Sequence, residues 1–202
     1  EYRDYLFWFY RYHFRQPLPD TEEETIANLP NLSELFDRML RAMAANGSRN
    51  LIIHLRDNTG GMTPITLPTL YQLFGDRYLE TDMGNRSYRM ISPLYLRKLH
   101  RSLDEFNREH DSDYRFGDVL TIRKPQEGGS LAEKRERFIA GSEESVRRYL
   151  PLDGKPVYTP ANIDVVTDAG TFSAAFHYTF YLWKMGARVV GTISGQSPNT
   201  FM

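Results

Sequence analysis

The chain has 202 residues and a net charge of −1, with 25 basic and 26 acidic side chains. Its hydrophobic (41%) and charged (25%) fractions are typical of a soluble globular protein. The balanced charge argues against a nucleic-acid or anionic-membrane surface, and no stretch approaches the ~20 apolar residues that span a bilayer. Because cysteine is absent, disulfides, thiolate nucleophiles and cysteine-bound zinc are excluded.

The first third of the chain is predicted to contain two strands and two helices. The aromatic-rich residues 2–14 favour a strand. A helix with Ser33 as its N-cap and a stop at Gly47 follows, since apolar side chains recur at helical spacing. Residues 50–55 (NLIIHL) indicate a buried strand, and a second helix is predicted over 64–74. Between them lies RDNTGG, residues 56–61, which we call the glycine loop.

Residues 76–155 are richer in charge and are predicted to be an insertion of the same domain. We expect a helix over 93–110, a short strand over 118–122, a flexible stretch over 125–129 and a polar helix over 130–149. The i,i+4 charge pairs of the last helix are typical of a solvated surface.

The apolar pattern returns after residue 155. A strand is predicted over 162–167, a helix over 172–185 and another strand over 187–193. The residues DAGTFSAA, 168–175, join the first of these strands to the helix, and we call them the serine loop. Alternating strands and helices predict an α/β fold with a largely parallel sheet, built from residues 1–75 and 156–202.

Both named loops follow strands, and catalytic groups in α/β sheets lie at the carboxyl ends of strands. Ser173 stands where a strand turns into a helix, which exposes its hydroxyl beside free N–H groups. The N–H of Ala174 is therefore a candidate oxyanion donor. Taken alone, however, Ser173 or Thr171 is better explained as a helix N-cap.

The glycine loop offers the other half of such a site. Gly60 and Gly61 allow close approach of the backbone to a ligand, and their N–H groups are candidate oxyanion donors. Arg56 and Asn58 are candidate substrate-binding residues, Arg56 for a carboxylate. An ordinary turn and a structural ion pair explain the same residues, so the loop alone decides nothing.

Together, two longer segments are more specific. Residues 31–61 (NLSELFDRMLRAMAANGSRNLIIHLRDNTGG) and 162–196 (NIDVVTDAGTFSAAFHYTFYLWKMGARVVGTISGQ) resemble the tail-specific, or C-terminal processing, serine protease family. They match its helix, strand and D-L-R-x-N-x-G-G loop, and then its strand, T-x-S-A-A turn, helix and G-A-x-V-V-G strand. The resemblance implies the spiral β/α core shared with Clp-type proteases and crotonases, with the charged helical insertion set on it. It also implies Ser173 as nucleophile, with Ala174 and Gly60 or Gly61 as oxyanion donors.

Two departures from the family pattern concern the base. The turn that often carries a catalytic lysine reads SGQSP at 194–198, and Lys184 lies about three helical turns from Ser173. His54 replaces the usual aspartate. The chain is thus closer to the tricorn-like branch, whose base is a histidine from an upstream segment, and we expect the base to lie outside these residues.

The five histidines provide one weak local candidate. His177 follows Ser173 by four residues on the same helical face and can contact it, although a packed, hydrogen-bonded role explains it better. His54 is predicted to be buried and structural, His100 and His110 to face solvent, and the role of His13 is open.

The sequence therefore predicts a serine peptidase that acts on peptide or protein substrates without a metal or organic cofactor. A catalytically inactive relative that binds peptide or an apolar ligand is the alternative, and a crotonase-like acyl-CoA enzyme is a weaker one. We expect a piece of a longer protein, incomplete at both ends, and an extracytoplasmic location suits the family. Oligomeric state and substrate sequence stay open.

Overall fold

A computed structural model describes residues 6–8, 10–27, 29–83, 86–123 and 128–196. The five strands are β1 (Asn50–His54), β2 (Arg86–Met90), β3 (Val119–Arg123), β4 (Asn162–Thr167) and β5 (Arg188–Gly191). The α-helices described are α1 (Glu22–Ala27), α2 (Leu32–Ala45), α3 (Leu67–Phe74), α4 (Asp76–Glu80), α5 (Pro93–Leu99), α6 (Leu103–His110), α7 (Leu131–Ala140), α8 (Glu144–Arg147) and α9 (Ser173–Lys184). A π-helix spans Tyr10–Phe14 and a 3-10 helix spans Thr63–Thr66.

The main sheet is parallel and has the strand order β1-β4-β5. Ile53 is paired with Val165, and Val165 with Val189, so the three strands are in register across the centre of the sheet. Because β1 and β4 are parallel neighbours, the glycine loop and the serine loop leave the sheet at the same end. The chain is thus a mixed α/β protein with a parallel three-stranded sheet, as the sequence predicts at this coarse level.

One face of this sheet packs into the main core. Leu51, Ile163 and Val165 point inward with side chains of the helices, and the buried members of the cluster are Leu40, Leu51, Leu55, Leu70, Leu73, Phe74, Ile163, Val165, Tyr178, Leu182, Met185 and Ala187. The alternating residues face the other way, since successive side chains of a strand point to opposite faces. On that face Ile52 is 66% exposed, and Asp164 pairs with Arg188 through two hydrogen bonds.

Residues 86–123, which we call the hairpin unit, have a small core of their own. The antiparallel pair β2–β3 and the helices α5 and α6 surround three buried side chains, Ile91, Leu96 and Phe106. Gly117 N–H donates to the Ile91 carbonyl oxygen and fixes the approach to β3. The division of the chain into core and insertion remains a prediction.

The predicted N-terminal strand is wrong where the structure describes it. Residues 6–8 are helical and Tyr10–Phe14 form the π-helix, while residues 2–5 lie outside the described residues. Aromatic β-propensity is overridden by contacts that need helical spacing: Trp8 stacks on Tyr12, and Tyr10 packs against Phe14. The buried Tyr10 hydroxyl also donates to the Thr25 carbonyl oxygen at 2.7 Å.

Several helix boundaries also differ from the prediction. The N-cap of α2 is Asn31, whose Oδ1 accepts from Glu34 N–H, and not Ser33, which is buried inside the helix. The predicted helix 93–110 is two helices, because His100 takes a left-handed conformation and Ser102 opens α6 with a capping box. The predicted helix 130–149 likewise divides between α7 and α8.

The prediction that residues 50–55 form a fully buried strand is also wrong. β1 lies at the edge of the sheet and alternates between exposed and buried side chains, so His54 is exposed rather than buried. The predicted strands over 118–122, 162–167 and 187–193 and the helix over 172–185 are present as β3, β4, β5 and α9. Most of the predicted flexible stretch 125–129 lies outside the described residues.

Candidate functional site

The glycine loop and the serine loop are bonded to each other at the carboxyl ends of β1 and β4. The hydroxyl of Thr171, which is fully buried, donates to the Leu55 carbonyl oxygen at 2.7 Å across 116 positions of sequence. Phe172 N–H donates to the Asn58 carbonyl oxygen at 3.0 Å. The two loops that the sequence singled out therefore form one structure.

Asp168 adds a charged link between the same loops. Its Oδ1 accepts hydrogen bonds from the N–H groups of Asp57 and Gly170, each at 3.0 Å. The bond from Asp57 N–H is the main reason that the pKa of Asp168 lies below its ordinary value; burial opposes it, and the bonds from Gly170 and Thr171 each lower the pKa by less. The ionised carboxylate thus holds the glycine loop on the serine loop.

Gly60 is the point of closest approach between the loops. Its φ is +102°, and a Cβ built on it would lie 2.7 Å from Ala174 N, from the Phe172 carbonyl oxygen and from Ser173 Cβ. No real Cβ makes such contacts, so only glycine allows the backbone to rest on the turn that carries Ser173. Glycine is thus required at position 60 by packing as well as by conformation.

Ser173 is the first residue of α9 and has the left-handed φ of +51°. The N-cap is Phe172, which makes no side-chain capping bond, and the Thr171 hydroxyl is engaged by Leu55. Neither Ser173 nor Thr171 is therefore an N-cap, which removes the simplest structural explanation for the serine. Strained residues at sharp strand-to-helix turns are a recurrent setting for nucleophilic serines.

The predicted oxyanion donors differ in their availability. Gly60 N–H donates to Asn58 Oδ1 at 2.9 Å, so the Asn58 side chain closes the glycine loop on itself. Among the described residues, the N–H groups of Gly61 and Ala174 have no hydrogen-bond acceptor. Each loop thus has one N–H group without a partner among the described residues, and Gly60 packs directly against the nitrogen of Ala174.

The histidines near the loops serve other partners. His177 Nδ1 and Thr63 Oγ1 are hydrogen-bonded at 3.1 Å, which ties α9 to the 3-10 helix after the glycine loop. His54 Nε2 accepts from Arg56 Nε at 2.8 Å on the exposed surface. Within the described part of the chain, no side chain is hydrogen-bonded to the Ser173 hydroxyl.

A residue that sequence reasoning missed touches Ser173 directly. Gln196 is 6% exposed, and its Oε1 accepts from Ser173 N–H at 2.6 Å. It lies in the turn after β5. The family comparison noted only that this turn has no lysine. A long amide side chain in that turn carries no motif, so only the folded chain reveals the contact.

No protein-family model, curated protein or solved structure matches this chain. The described residues contain no group of three or more histidine, aspartate or glutamate side chains that could hold a metal ion. None of the described helices has the length and apolarity to cross a membrane.

A groove of about 1040 Å³ opens beside the glycine loop. Met62 and Ile65, which are 67% and 50% exposed, line it on the side of the site. Phe138 and Val146 line it on the side of α7 and α8. Met62 comes directly after the glycine loop, but no residue of the glycine loop or of the serine loop lines the groove.

Proposed function

We propose that the chain is a serine peptidase of the tail-specific protease type, with Ser173 as its nucleophile. The observation that carries this proposal is the conformation of Ser173: left-handed, at a helix start without a capping side chain, and packed on Gly60. Such a turn presents a hydroxyl at the carboxyl end of a parallel sheet. The spiral β/α core of Clp-type proteases and crotonases is proposed as the finer description of the fold.

In the proposed reaction the Ser173 oxygen attacks the carbonyl carbon of the scissile peptide bond. Its proton passes to a general base, and the carbonyl oxygen takes up negative charge. The N–H groups of Ala174 and Gly61 stabilise that charge, while Gly60 supplies the close packing that aligns the two loops. The base then gives its proton to the leaving nitrogen as the C–N bond breaks, which releases the amine fragment and leaves an acyl-enzyme on Ser173 that water hydrolyses.

The base in this scheme is a group outside those described, as the tricorn-like resemblance implies. His177 is unsuited, because its Nδ1 is bonded to Thr63 and its ring is fixed along α9. His54 is bonded to Arg56 on the exposed edge of the sheet. Both histidines therefore act in the proposal as structural side chains near the site.

A second candidate is an inactive relative that binds peptide without cleaving it. The observation in its favour is that no described side chain is hydrogen-bonded to the Ser173 hydroxyl. A serine without a base is a poor nucleophile at neutral pH, whereas the groove and the two free N–H groups still suit an extended peptide.

Labelling by a fluorophosphonate probe separates these candidates. We expect the full-length protein to gain one adduct by intact mass, and Ser173→Ala to gain none. Ser92→Ala is the matched control, since Ser92 also stands at a helix start but caps α5 in the hairpin unit, and it should label like wild type. A folded wild type that stays unlabelled would contradict the peptidase and favour the binding relative.

A further inference from the structure

The contact between Gln196 and Ser173 is unusual for the start of a helix. Gln196 comes from the turn after β5, and its Oε1 accepts from the N–H of Ser173, 23 positions earlier. Ser194 Oγ donates to the Gln196 carbonyl oxygen at 2.9 Å and holds the turn. A Cβ on Gly195 would lie 2.4 Å from the Ala169 carbonyl oxygen, so this turn is pressed against the serine loop.

The candidate site depends on which backbone N–H of α9 is bonded to Gln196. An ordinary N-cap side chain accepts from the second or third N–H of its helix, which in α9 belong to Ala174 and Ala175. Such a cap would occupy the Ala174 N–H, which is the oxyanion donor of the proposed function. Gln196 instead takes the first N–H, that of Ser173, and leaves the second one free.

The same hydrogen bond supports the conformation of the serine. A left-handed φ is unfavourable for an L-residue and persists only where its surroundings hold it. Gly60 presses on Ser173 from the glycine loop, and Gln196 holds its N–H from the turn after β5. The serine is thus fixed between two segments that belong to different strands.

We propose that Gln196 is a positioning residue for Ser173. It acts through the backbone of the serine, by fixing its left-handed turn and by satisfying its N–H without occupying that of Ala174. This role rests on the proposed function, since a positioned nucleophile has a purpose only where the serine reacts. Gln196 itself takes no part in bond making or proton transfer.

The test compares three substitutions in the full-length protein. Gln196→Met keeps the length of the side chain but removes the acceptor, and Gln196→Asn keeps an acceptor that is one methylene too short. We expect both to slow fluorophosphonate labelling of Ser173 by about 10-fold or more, because small misplacements of reacting groups cost that much or more. Gln196→Glu restores an acceptor of the right length and should label faster than either.

Amide hydrogen exchange of Ser173 by NMR gives a second readout. The Ser173 N–H should lose protection in Gln196→Met and Gln196→Asn and keep it in Gln196→Glu. Ser102→Ala is the control for a general loss of stability, because it removes the capping box of α6 in the hairpin unit and should leave the labelling rate unchanged.

The outcomes separate the two proposals. Equal labelling of wild type and folded Gln196→Met, or an unchanged exchange rate of the Ser173 amide in that variant, would overturn the role of Gln196 and leave the peptidase standing. A wild type that is not labelled at all would overturn the proposed function itself, even where the amide exchange shows that the hydrogen bond exists.

Discussion

The hairpin unit and the paired loops use similar bonds over very different distances in sequence. In the hairpin unit, Ser102 caps the N–H of Glu105 three residues on, and the Gly117 N–H reaches the Ile91 carbonyl within the same 38 residues. In the paired loops, the bond from Asp57 to Asp168 spans 111 positions. Each region has a glycine with positive φ, a buried or capping hydroxyl and a carboxylate that accepts backbone N–H groups.

This difference in sequence separation indicates what each region needs in order to fold. Contacts between near neighbours close short loops at a small entropic cost, whereas contacts over more than a hundred residues need the assembled sheet. The candidate site therefore depends on the whole core, and the hairpin unit depends chiefly on itself. Matched substitutions in the two regions should be unequal in their effect on Ser173.

The largest effect is expected from Gly60→Ala, compared with Gly117→Ala. The two glycines have nearly the same φ, +102° and +99°, but a Cβ meets backbone at Gly60 and open space at Gly117. Gly117→Ala should cost about 1–2 kcal/mol of unfolding free energy from strain alone. Gly60→Ala should cost roughly 1–3 kcal/mol more, because the loops are forced apart.

Urea unfolding measures both costs, and fluorophosphonate labelling reports on the site. Gly60→Ala should lose labelling and Gly117→Ala should retain it. Equal stability and equal labelling of the two variants would mean that the packing of Gly60 on Ser173 is not present in solution.

A smaller effect is expected from Thr171→Val, compared with Ser102→Ala. The valine keeps the shape of Thr171 but leaves the buried Leu55 carbonyl without this donor, which should cost about 1–3 kcal/mol. Ser102→Ala removes an exposed cap worth about 1 kcal/mol. Thermal unfolding of each variant measures its loss of unfolding free energy.

Amide exchange of Phe172 shows where each change acts, since its N–H is bonded to the glycine loop. Exchange should become faster in Thr171→Val and stay near wild type in Ser102→Ala. A Phe172 amide that responds alike to both variants would contradict the separation of the two regions.

The smallest effect is expected from lowering the pH, which protonates carboxylates that the folded protein stabilises. The pKa values of Asp168 and Glu105 are both lowered, chiefly by bonds from the backbone N–H groups of Asp57 and Ser102. A carboxyl whose pKa is lower in the folded state stabilises the fold above its unfolded pKa of about 4. That stabilisation is lost as the pH falls through the lower, folded pKa.

Exchange of the Phe172 amide between pH 6 and pH 3 tests this link. In wild type we expect acid to loosen the paired loops, so that protection, corrected for intrinsic exchange, falls with pH. Asp168→Asn should remove this pH dependence, whereas Glu105→Gln should preserve it. A pH dependence that survives in Asp168→Asn would show that another group controls the loops.

The periodic parts of the fold were predictable from the sequence, and the rest was not. The apolar pattern of residues 162–193 correctly indicates β4, α9 and β5, because each element has its own local period. The strand predicted at the N-terminus is wrong, because aromatic side chains favour strands on average. In the structure the buried Tyr10 lies in a helical turn and is hydrogen-bonded to Thr25. The breaks at His100 and Gly141 were missed because the charged helices around them have only weak apolar patterns.

In the candidate site, too, local sequence patterns predict some of the residues but not the contacts between them. Ser173, Ala174 and Gly60 were singled out by their places after strands, and the structure brings all three into one contact. Gln196 was missed, since a glutamine in a turn has no local signature. The serine loop taken alone favoured the N-cap explanation for Ser173, and only the bond of Thr171 and the place of Phe172 as the N-cap decide against it.

The sequence by itself therefore determined the order of β4, α9 and β5, and it singled out the two loops that follow β1 and β4. Those features follow from local patterns of apolar residues, glycine and turn chemistry. Only the tertiary structure decided that the loops are bonded together, that Ser173 adopts a left-handed turn, and that Gln196 takes its N–H. These features depend on residues that the assembled sheet brings together, so they cannot be predicted from the spacing of residues along the chain.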